Sequence, residues 1–391
     1  MSLEQINWLQ DVREYRRVAK NRKALREPGQ GTDYTHERFR DVVNRVVSRI
    51  HPKRMHLRLV EILPQTATAR TFCFERADGL LPPFRAGQYV TVMVKVEGVR
   101  TSRPYSISSA PMAERLELTV RDNLGGFVAP YLFDGLKVGD VLETTGPAGR
   151  FYHEPLIDGK DLVFLAGGSG ITPFMSMIRD TVQRQRPLRI KLLYGSRTPE
   201  DVIFRGELEK LAATYSNFTF SLVLSEPPEG YEGLKGFLDS KLIAQLVGDI
   251  KGKTFYVCGP RAMHGFCRGA LKELEVPQRK TRYELYGAPE DVSKEPGWPE
   301  GLSKDMVFEV DVAGKKIILA KAGEPLLNAL DRSGLMVPTL CRSGECSACR
   351  VRLVAGKVFV PSQATVRESD RKAGCIHSCV SYPIDNLKIR I

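Results

Sequence analysis

The chemistry-bearing residues of this 391-residue chain crowd toward its C-terminus. Of the eight cysteines, Cys73, Cys258, Cys267, Cys341, Cys346, Cys349, Cys375 and Cys379, five fall within the last 51 residues. Crowding of this kind is unlike a disulfide framework and points to metal or redox chemistry. The run Cys341-Arg-Ser-Gly-Glu-Cys346-Ser-Ala-Cys349 has C-x4-C-x2-C spacing, and Cys375 and Cys379 follow it. Three thiolates on one loop and a fourth from a separate segment can surround a two-iron, two-sulfide cluster from several directions. Ser343, Gly344, Ser347 and Ala348 are small enough to let the backbone wrap close and turn N–H groups toward sulfur. Zinc is the competing reading, but zinc ribbons pair two C-x2-C units and only one is present.

Three further segments carry chemistry. Arg103-Pro104-Tyr105-Ser106 offers a guanidinium suited to phosphate oxygens, a flat ring and a hydroxyl. Gly167-Gly168-Ser169-Gly170-Ile171-Thr172-Pro173 follows an apolar run and opens a helical stretch, where unpaired N–H groups and the positive helix end can meet a pyrophosphate. Cys258-Gly259-Pro260, with Met263, follows a second apolar run. Taken singly, each has a bland alternative: a surface arginine, an ordinary turn, a buried cysteine at a strand end.

The elements that must hold these residues can be read from periodicity. Residues 1–52 suggest a basic, helical extension: Leu3, Ile6, Leu9 and Val12 recur at helical spacing, Pro28-Gly29-Gln30-Gly31 interrupts, and Phe39 to Ile50 carries an apolar stripe that Pro52 stops. Residues 53–152 read as a small antiparallel β-barrel, with strands at Leu57–Ile62, Thr71–Phe74, Tyr89–Val96, Leu116–Val120 and Val141–Thr145. Residues 153–287 alternate buried strands (Leu162–Ala166, Ile190–Tyr194, Phe218–Leu224, Thr254–Cys258) with helices (Phe174–Arg184, Gly206–Tyr215, Arg261–Glu273), which implies a parallel α/β sheet. The Pro- and Gly-rich stretch 288–304 reads as a linker, and 305–391 as a final α+β unit around the cysteine loop.

The R-x-Y-S motif at Arg103–Ser106, followed by Gly125-Gly126-Phe127-Val128-Ala129-Pro130, resembles the flavin site of the ferredoxin–NADP reductase superfamily. The order flavin barrel, nicotinamide domain and ferredoxin domain over residues 53–391 resembles its oxygenase-reductase type, similar to phthalate dioxygenase reductase and phenylacetyl-CoA epoxidase reductase. That resemblance implies that Arg103, Pro104, Tyr105, Ser106, Gly125, Gly126, Phe127 and Ala129 hold the flavin, with Ser106 at flavin N5. Ala129 stands where the family usually has Ser or Thr, so FMN remains an alternative to FAD. Gly167, Gly168, Gly170, Thr172, Pro173, Cys258, Gly259, Pro260 and Met263 would hold the nicotinamide half of NADH or NADPH. Cys258 would lie near the hydride-bearing carbon, with Glu284 beside it and Tyr286 in the terminal aromatic segment. Ser196, Arg197 and Arg205 would surround the adenosine end, with a slight preference for NADH. Gly374-Cys375-Ile376-His377-Ser378-Cys379 resembles the plant-type ferredoxin frame, in which the last cysteine is the fourth 2Fe–2S ligand. By that likeness Cys341, Cys346, Cys349 and Cys379 bind the cluster, Cys375 packs, and His377 lies near the cluster without ligating it.

The resemblance implies an NAD(P)H-dependent oxidoreductase that passes single electrons to a partner protein. The expected partner is the oxygenase of a multicomponent enzyme; supply of an anaerobic low-potential enzyme or a corrinoid activase is the alternative. Composition agrees with a globular chain: 42% apolar and 27% charged residues, with net charge +12. Apolar stretches such as Leu162–Ala166 fall far short of the roughly 18 residues of a membrane span, and Glu4 and Asp11 argue against a secretory signal. A cytoplasmic location is expected, with no nucleic-acid partner. Residues 1–60 hold 14 Lys and Arg against 7 Asp and Glu, so a surface-binding role for residues 1–52 competes with a merely solvated face. Residues 305–391 hold 13 Lys and Arg against 9 Asp and Glu, with Arg342, Arg350 and Arg352 flanking the cluster loop. An acidic docking face on the acceptor is therefore expected.

Overall fold

The computed structural model describes residues 46–48, 50–122, 126–364 and 366–391. By its internal contacts the chain divides into Met1–Pro52 and Lys53–Ile391. Of the two helices expected in the first unit, residues 46–48 and 50 are helical and the remainder lies outside the described residues.

Six strands build the first sheet: β1 (Met55–Thr66), β2 (Ala69–Arg76), β3 (Tyr89–Val96), β4 (Val99–Ser106), β5 (Leu116–Arg121) and β6 (Val141–Thr144). Their order is β4-β3-β6-β1-β2-β5, with antiparallel pairing throughout. Alternation places Met55, Leu57 and Leu59 inside and His56 and Arg58 outside. Phe72, Phe74, Val90, Val92, Ile107 and Leu118 complete the core, each large side chain contributing about 1.5–3 kcal/mol on burial. Periodicity does not reveal β4, because Val-Arg-Thr-Ser-Arg-Pro-Tyr-Ser lacks an apolar alternation. It lies at the end of the strand order and pairs with β3 alone among the named strands, which is where Pro104 is tolerated.

The second sheet is parallel, in the order β10-β9-β8-β7-β11-β12. Its strands are β7 (Asp161–Gly167), β8 (Arg189–Ser196), β9 (Phe218–Leu224), β10 (Leu234–Lys235), β11 (Thr254–Cys258) and β12 (Thr281–Glu284), and its helices α1 (Thr172–Gln183), α2 (Arg205–Thr214), α3 (Ser240–Val247) and α4 (Arg261–Glu273). Both faces are covered: Phe164, Phe174 and Tyr194 pack on one side of the sheet, and Val163, Leu165 and Leu271 on the other. Strand order reverses at β7, so the loops leaving β7 and β11 lie side by side, where α/β sheets bind their ligands. The short β12 is missed by pattern because its Thr-Arg-Tyr-Glu run is only partly buried.

The third sheet, β14-β13-β19-β15-β17, contains β13 (Val307–Val312), β14 (Lys316–Lys321), β15 (Arg350–Ala355), β17 (Cys375–His377) and β19 (Leu387–Arg390). Helix α5 (Leu326–Arg332) buries Leu326, Leu327 and Leu330 against it. A separate pair joins β16 (Val358–Phe359) to β18 (Tyr382–Pro383). The stretch 288–304 is packed rather than loose. Val292 is buried, Glu295 pairs with Arg261 at 3.3 Å, and the Trp298 ring meets Phe359 edge-on at 5.2 Å. Among the described residues no helix is long and apolar enough to cross a membrane.

Candidate functional site

Cys341, Cys349 and Cys379 are buried and Cys346 is partly exposed. The backbone N–H groups of Ser343 and Cys346 each donate to Cys341 Sγ at 3.4 Å. The thiols fall into two pairs. Cys341 is pulled toward thiolate by the hydrogen bond from Cys346, against burial. Cys349 is pulled the same way by Cys379. Thiolate is the form that ligates metal. Two thiol pairs suit two irons. Gly344 takes φ +90°, and a β-carbon there would lie 3.0 Å from Val380, so the loop can wrap only with glycine. Cys375 stands apart, its thiol directed to the Ala373 carbonyl at 3.9 Å.

His377 is fully buried beside the loop. Its Nδ1 donates to the Gly344 carbonyl at 2.6 Å and its Nε2 lies 2.8 Å from Asp370 Oδ2. The ring therefore ties the loop to the Asp370 carboxylate without ligating. A His377→Ala substitution leaves two acceptors short of a donor, at a cost of about 2–4 kcal/mol. Faster bleaching of the visible cluster absorbance on storage is the expected result; an unchanged bleaching rate would show that the ring does not brace the loop.

A cavity of about 970 Å³ is lined by Arg103–Ser106 of β4, by Gly126–Ala129, by Gly168, Ser169 and Thr172, by Gly259 and Pro260, by Tyr286, and by Cys379. One space thus touches the barrel, the parallel sheet and Cys379, the cysteine supplied from outside the 341–349 loop. Arg103 donates to Thr101 Oγ1 at 3.0 Å and to the Ser102 carbonyl at 2.7 Å. Burial, and then the neighbouring Arg342 cation, lower its pKa to about 10. A desolvated guanidinium at a cavity wall suits an anion such as a phosphate. Gly125 lies outside the described residues.

Ser106 Oγ and Tyr286 Oη are 2.5 Å apart. The Tyr286 hydroxyl also contacts Cys258, whose thiol burial pushes well up. Cys258 and Glu284 are neighbours across β11 and β12, and both are buried. Burial, followed by Glu345 and Cys341, raises the Glu284 carboxyl well above its ordinary range. Neither Cys258 nor Glu284 lines the cavity; Tyr286 does.

After β7 the chain makes a 3-10 turn, Gly168–Ile171, before α1 begins at Thr172, with Pro173 in its first turn. Thr172 Oγ1 donates to the Ser169 carbonyl at 3.0 Å. A β-carbon on Gly170 would lie 2.3 Å from the Cys258 carbonyl oxygen, so this loop packs backbone to backbone on Cys258–Gly259. Gly170→Ala is expected to destabilise the protein by about 1–3 kcal/mol, read as a lower denaturant midpoint; an unmoved midpoint would mean that the two loops part freely.

A second cavity of about 450 Å³ continues past Gly167, Gly168, Pro260 and Met263 to Ser196 and Arg197. Arg205 is not brought to it; Arg205 pairs with Glu209 at 2.8 Å on α2. Three features of the site escape sequence reasoning. Arg121, at the end of β5, lines both cavities and pairs with Asp201 at 2.6 Å. Phe237 and Phe266 line the second cavity with their rings 6.0 Å apart. Arg342 is buried against Asp331 and β4. That last placement corrects the expectation that Arg342 belongs to an exposed docking face: its neighbours Thr101, Ser102 and Asp331 draw it inward.

The chain matches the oxidoreductase FAD-binding domain over residues 59–153, the oxidoreductase NAD-binding domain over 164–269 and the 2Fe-2S iron-sulfur cluster binding domain over 310–383. It is 30% identical to the glycine betaine monooxygenase reductase subunit of Chromohalobacter salexigens, across 86% of this chain and 95% of that protein. It is also 30% identical to the ferredoxin reductase component of 3-ketosteroid-9-alpha-monooxygenase from Mycobacterium tuberculosis, across 84% of this chain and 93% of the relative. The solved structure of phthalate dioxygenase reductase shares the fold, with a TM-score of 0.65 at 23% identity over 86% of this chain and 98% of that one.

Proposed function

This chain belongs to the oxygenase-reductase family, which joins FAD-binding, NAD-binding and 2Fe–2S domains in one polypeptide, and from that we propose that its acceptor is an oxygenase component docking beside the cluster loop. It is an NAD(P)H-dependent oxidoreductase that delivers electrons to a protein partner. When bound, the flavin takes an electron pair from reduced nicotinamide and the cluster releases electrons one at a time. The protein's part is placement.

In this reading Arg103 and the amides near Gly126, Phe127 and Ala129 hold flavin phosphate. Tyr105 would supply a flat wall for the flavin ring system and Ser106 a hydroxyl for its polar edge. The N–H groups opening α1, with Gly167, Gly168 and Gly170, receive the nicotinamide dinucleotide beside Gly259, Pro260 and Met263. Tyr286, whose hydroxyl contacts Cys258, would have to move aside to admit a nicotinamide ring there. Cys341, Cys346, Cys349 and Cys379 ligate the irons. The observation that carries this reading is the single 970 Å³ cavity running from Arg103 to Cys379, which leaves room for the flavin against the cluster loop.

NADH is the preferred donor in this reading. Arg197, a cation available for a 2′-phosphate, is paired with Asp201 at 3.3 Å, so a 2′-phosphate has to compete with that carboxylate for the guanidinium. Steady-state turnover is expected to show kcat/KM for NADH at least about tenfold above NADPH; a preference for NADPH would contradict it. The acidic docking face remains part of the proposal, now resting on Arg350 and Arg352, which are exposed on β15, and on Arg390, which lies opposite Arg352 on β19. Electron transfer to the cognate oxygenase should slow as salt rises; a salt-independent rate would exclude this face. Free thiols around an iron–sulfur site also favour a reducing, cytoplasmic setting.

A further inference from the structure

The seam between β3–β4 and the residues around Cys341 is stitched by side chains. Thr91 Oγ1 donates to the Leu340 carbonyl at 2.9 Å, and Ser102 Oγ lies 2.7 Å from Thr339 Oγ1. Arg342, immediately after Cys341, donates to Ser102 Oγ at 3.3 Å, Thr101 Oγ1 at 3.1 Å and Asn328 Oδ1 at 3.1 Å, and forms an ion pair with Asp331 of α5. The Thr101 hydroxyl donates to Asp331 Oδ2 at 3.0 Å and accepts from Arg103 at 3.0 Å. Three linked side chains thus run from the flavin motif to the residue beside a cluster cysteine. Arg342, Asp331, Thr101 and Ser102 are all buried.

A buried ion pair is poor evidence of stability, because desolvation offsets its attraction, but it fixes geometry. The backbone supports the same conclusion. Arg342 takes φ +50°, a strained region for a residue with a β-carbon. Such strain persists where the side chain is over-determined, as it is here by four partners.

We propose that Arg342, clamped by Asp331 and Thr101, is a positioning residue that holds the Cys341 end of the cluster loop against β4 and so sets the rate at which electrons pass from the flavin site to the cluster. Transfer between fixed centres falls steeply with separation, so a small slackening of the seam slows this step alone. In the reading on which this rests, nicotinamide enters beside Pro260 and Tyr286, neither of which bonds Arg342 or Asp331, although Arg342 lines the same cavity.

The test uses full-length holoprotein and the variant Asp331→Asn, which keeps the shape and removes the charge. Anaerobic rapid mixing with NADH follows flavin bleaching optically and cluster reduction by freeze-quench electron paramagnetic resonance. Flavin bleaching is expected at the parent rate, with cluster reduction slowed about tenfold or more. Asp331→Glu, which restores the carboxylate, should recover part of the loss; a purely structural role would lower the unfolding midpoint and leave the ratio of the two rates unchanged. Ser102→Ala, which removes two bonds across the seam from the barrel side, should slow the same step and decides the matter if Asp331→Asn loses iron. Cluster reduction at the parent rate in iron-replete Asp331→Asn, or in Ser102→Ala where that variant decides, overturns the proposal.

Discussion

A Cys379→Ser protein will still oxidise NADH when a small acceptor such as ferricyanide draws electrons from the flavin, but its delivery to a one-electron protein acceptor will fall about 100-fold or more. Loss of orienting groups outside a metal's ligands already costs about 10–100-fold, and Cys379 is assigned here as a ligand. The geometry is specific: Cys379 is buried, pairs with Cys349, and lines the cavity shared with Arg103. Cys375→Ser is the control, since that thiol contacts the Ala373 carbonyl and takes no part in the two thiol pairs. It should keep its iron, sulfide and full delivery rate. Iron loss in Cys375→Ser with retention in Cys379→Ser would reverse the ligand assignment.

Arg103→Ala should be purified largely without flavin, with affinity for added FAD lower by about 10–100-fold, the loss expected when charge-assisted hydrogen bonds of about 1.5–3 kcal/mol are removed. Arg103 is preorganised by Thr101 Oγ1 and the Ser102 carbonyl, and it lines the cavity with much of its surface removed from water. Arg103→Lys should recover only part of the affinity, because an ammonium cannot span two oxygens as the planar fork does. Equilibrium titration of the stripped proteins with FAD, followed by flavin fluorescence, checks both; wild-type affinity in Arg103→Ala would remove Arg103 from the flavin site. Iron content should stay unchanged, since Arg103 lies across the seam from the cysteines.

Legibility from sequence followed the strength of local constraint. The cysteine loop could be read because cluster geometry demands a fixed spacing, and the Gly167–Pro173 loop because glycines must stand where Cys258 and Met263 leave no room for a side chain. The buried strands β7 and β11 could be read because sheets covered on both faces need nearly unbroken apolar runs, whereas β9, with Thr219 and Ser221, is only partly buried. Strand β4 was hidden although it carries Arg103–Ser106, since its stability comes from pairing with β3 and from the polar seam rather than from its own apolar pattern. Arg342 was misread for a related reason: nothing local distinguishes it from Arg350 or Arg352, and only the arrival of Thr101, Ser102 and Asp331 from distant positions turns it inward. Arg205 shows the converse, a plausible cation drawn away by Glu209 one turn along its own helix. The packing of residues 288–304 likewise depends on partners, Arg261 and Phe359, that composition cannot show.

The most direct measurement is an anaerobic NADH titration of the purified, full-length protein, with absorption and electron paramagnetic resonance spectra taken at each addition and iron, sulfide and flavin quantified in the same sample. Two irons, two sulfides and one flavin per chain are expected, with uptake of two electrons by the flavin and one by the cluster. A protein that holds zinc in place of iron and sulfide, or one whose cluster stays oxidised while the flavin is fully reduced, would contradict a chain built to turn a paired donation into single deliveries.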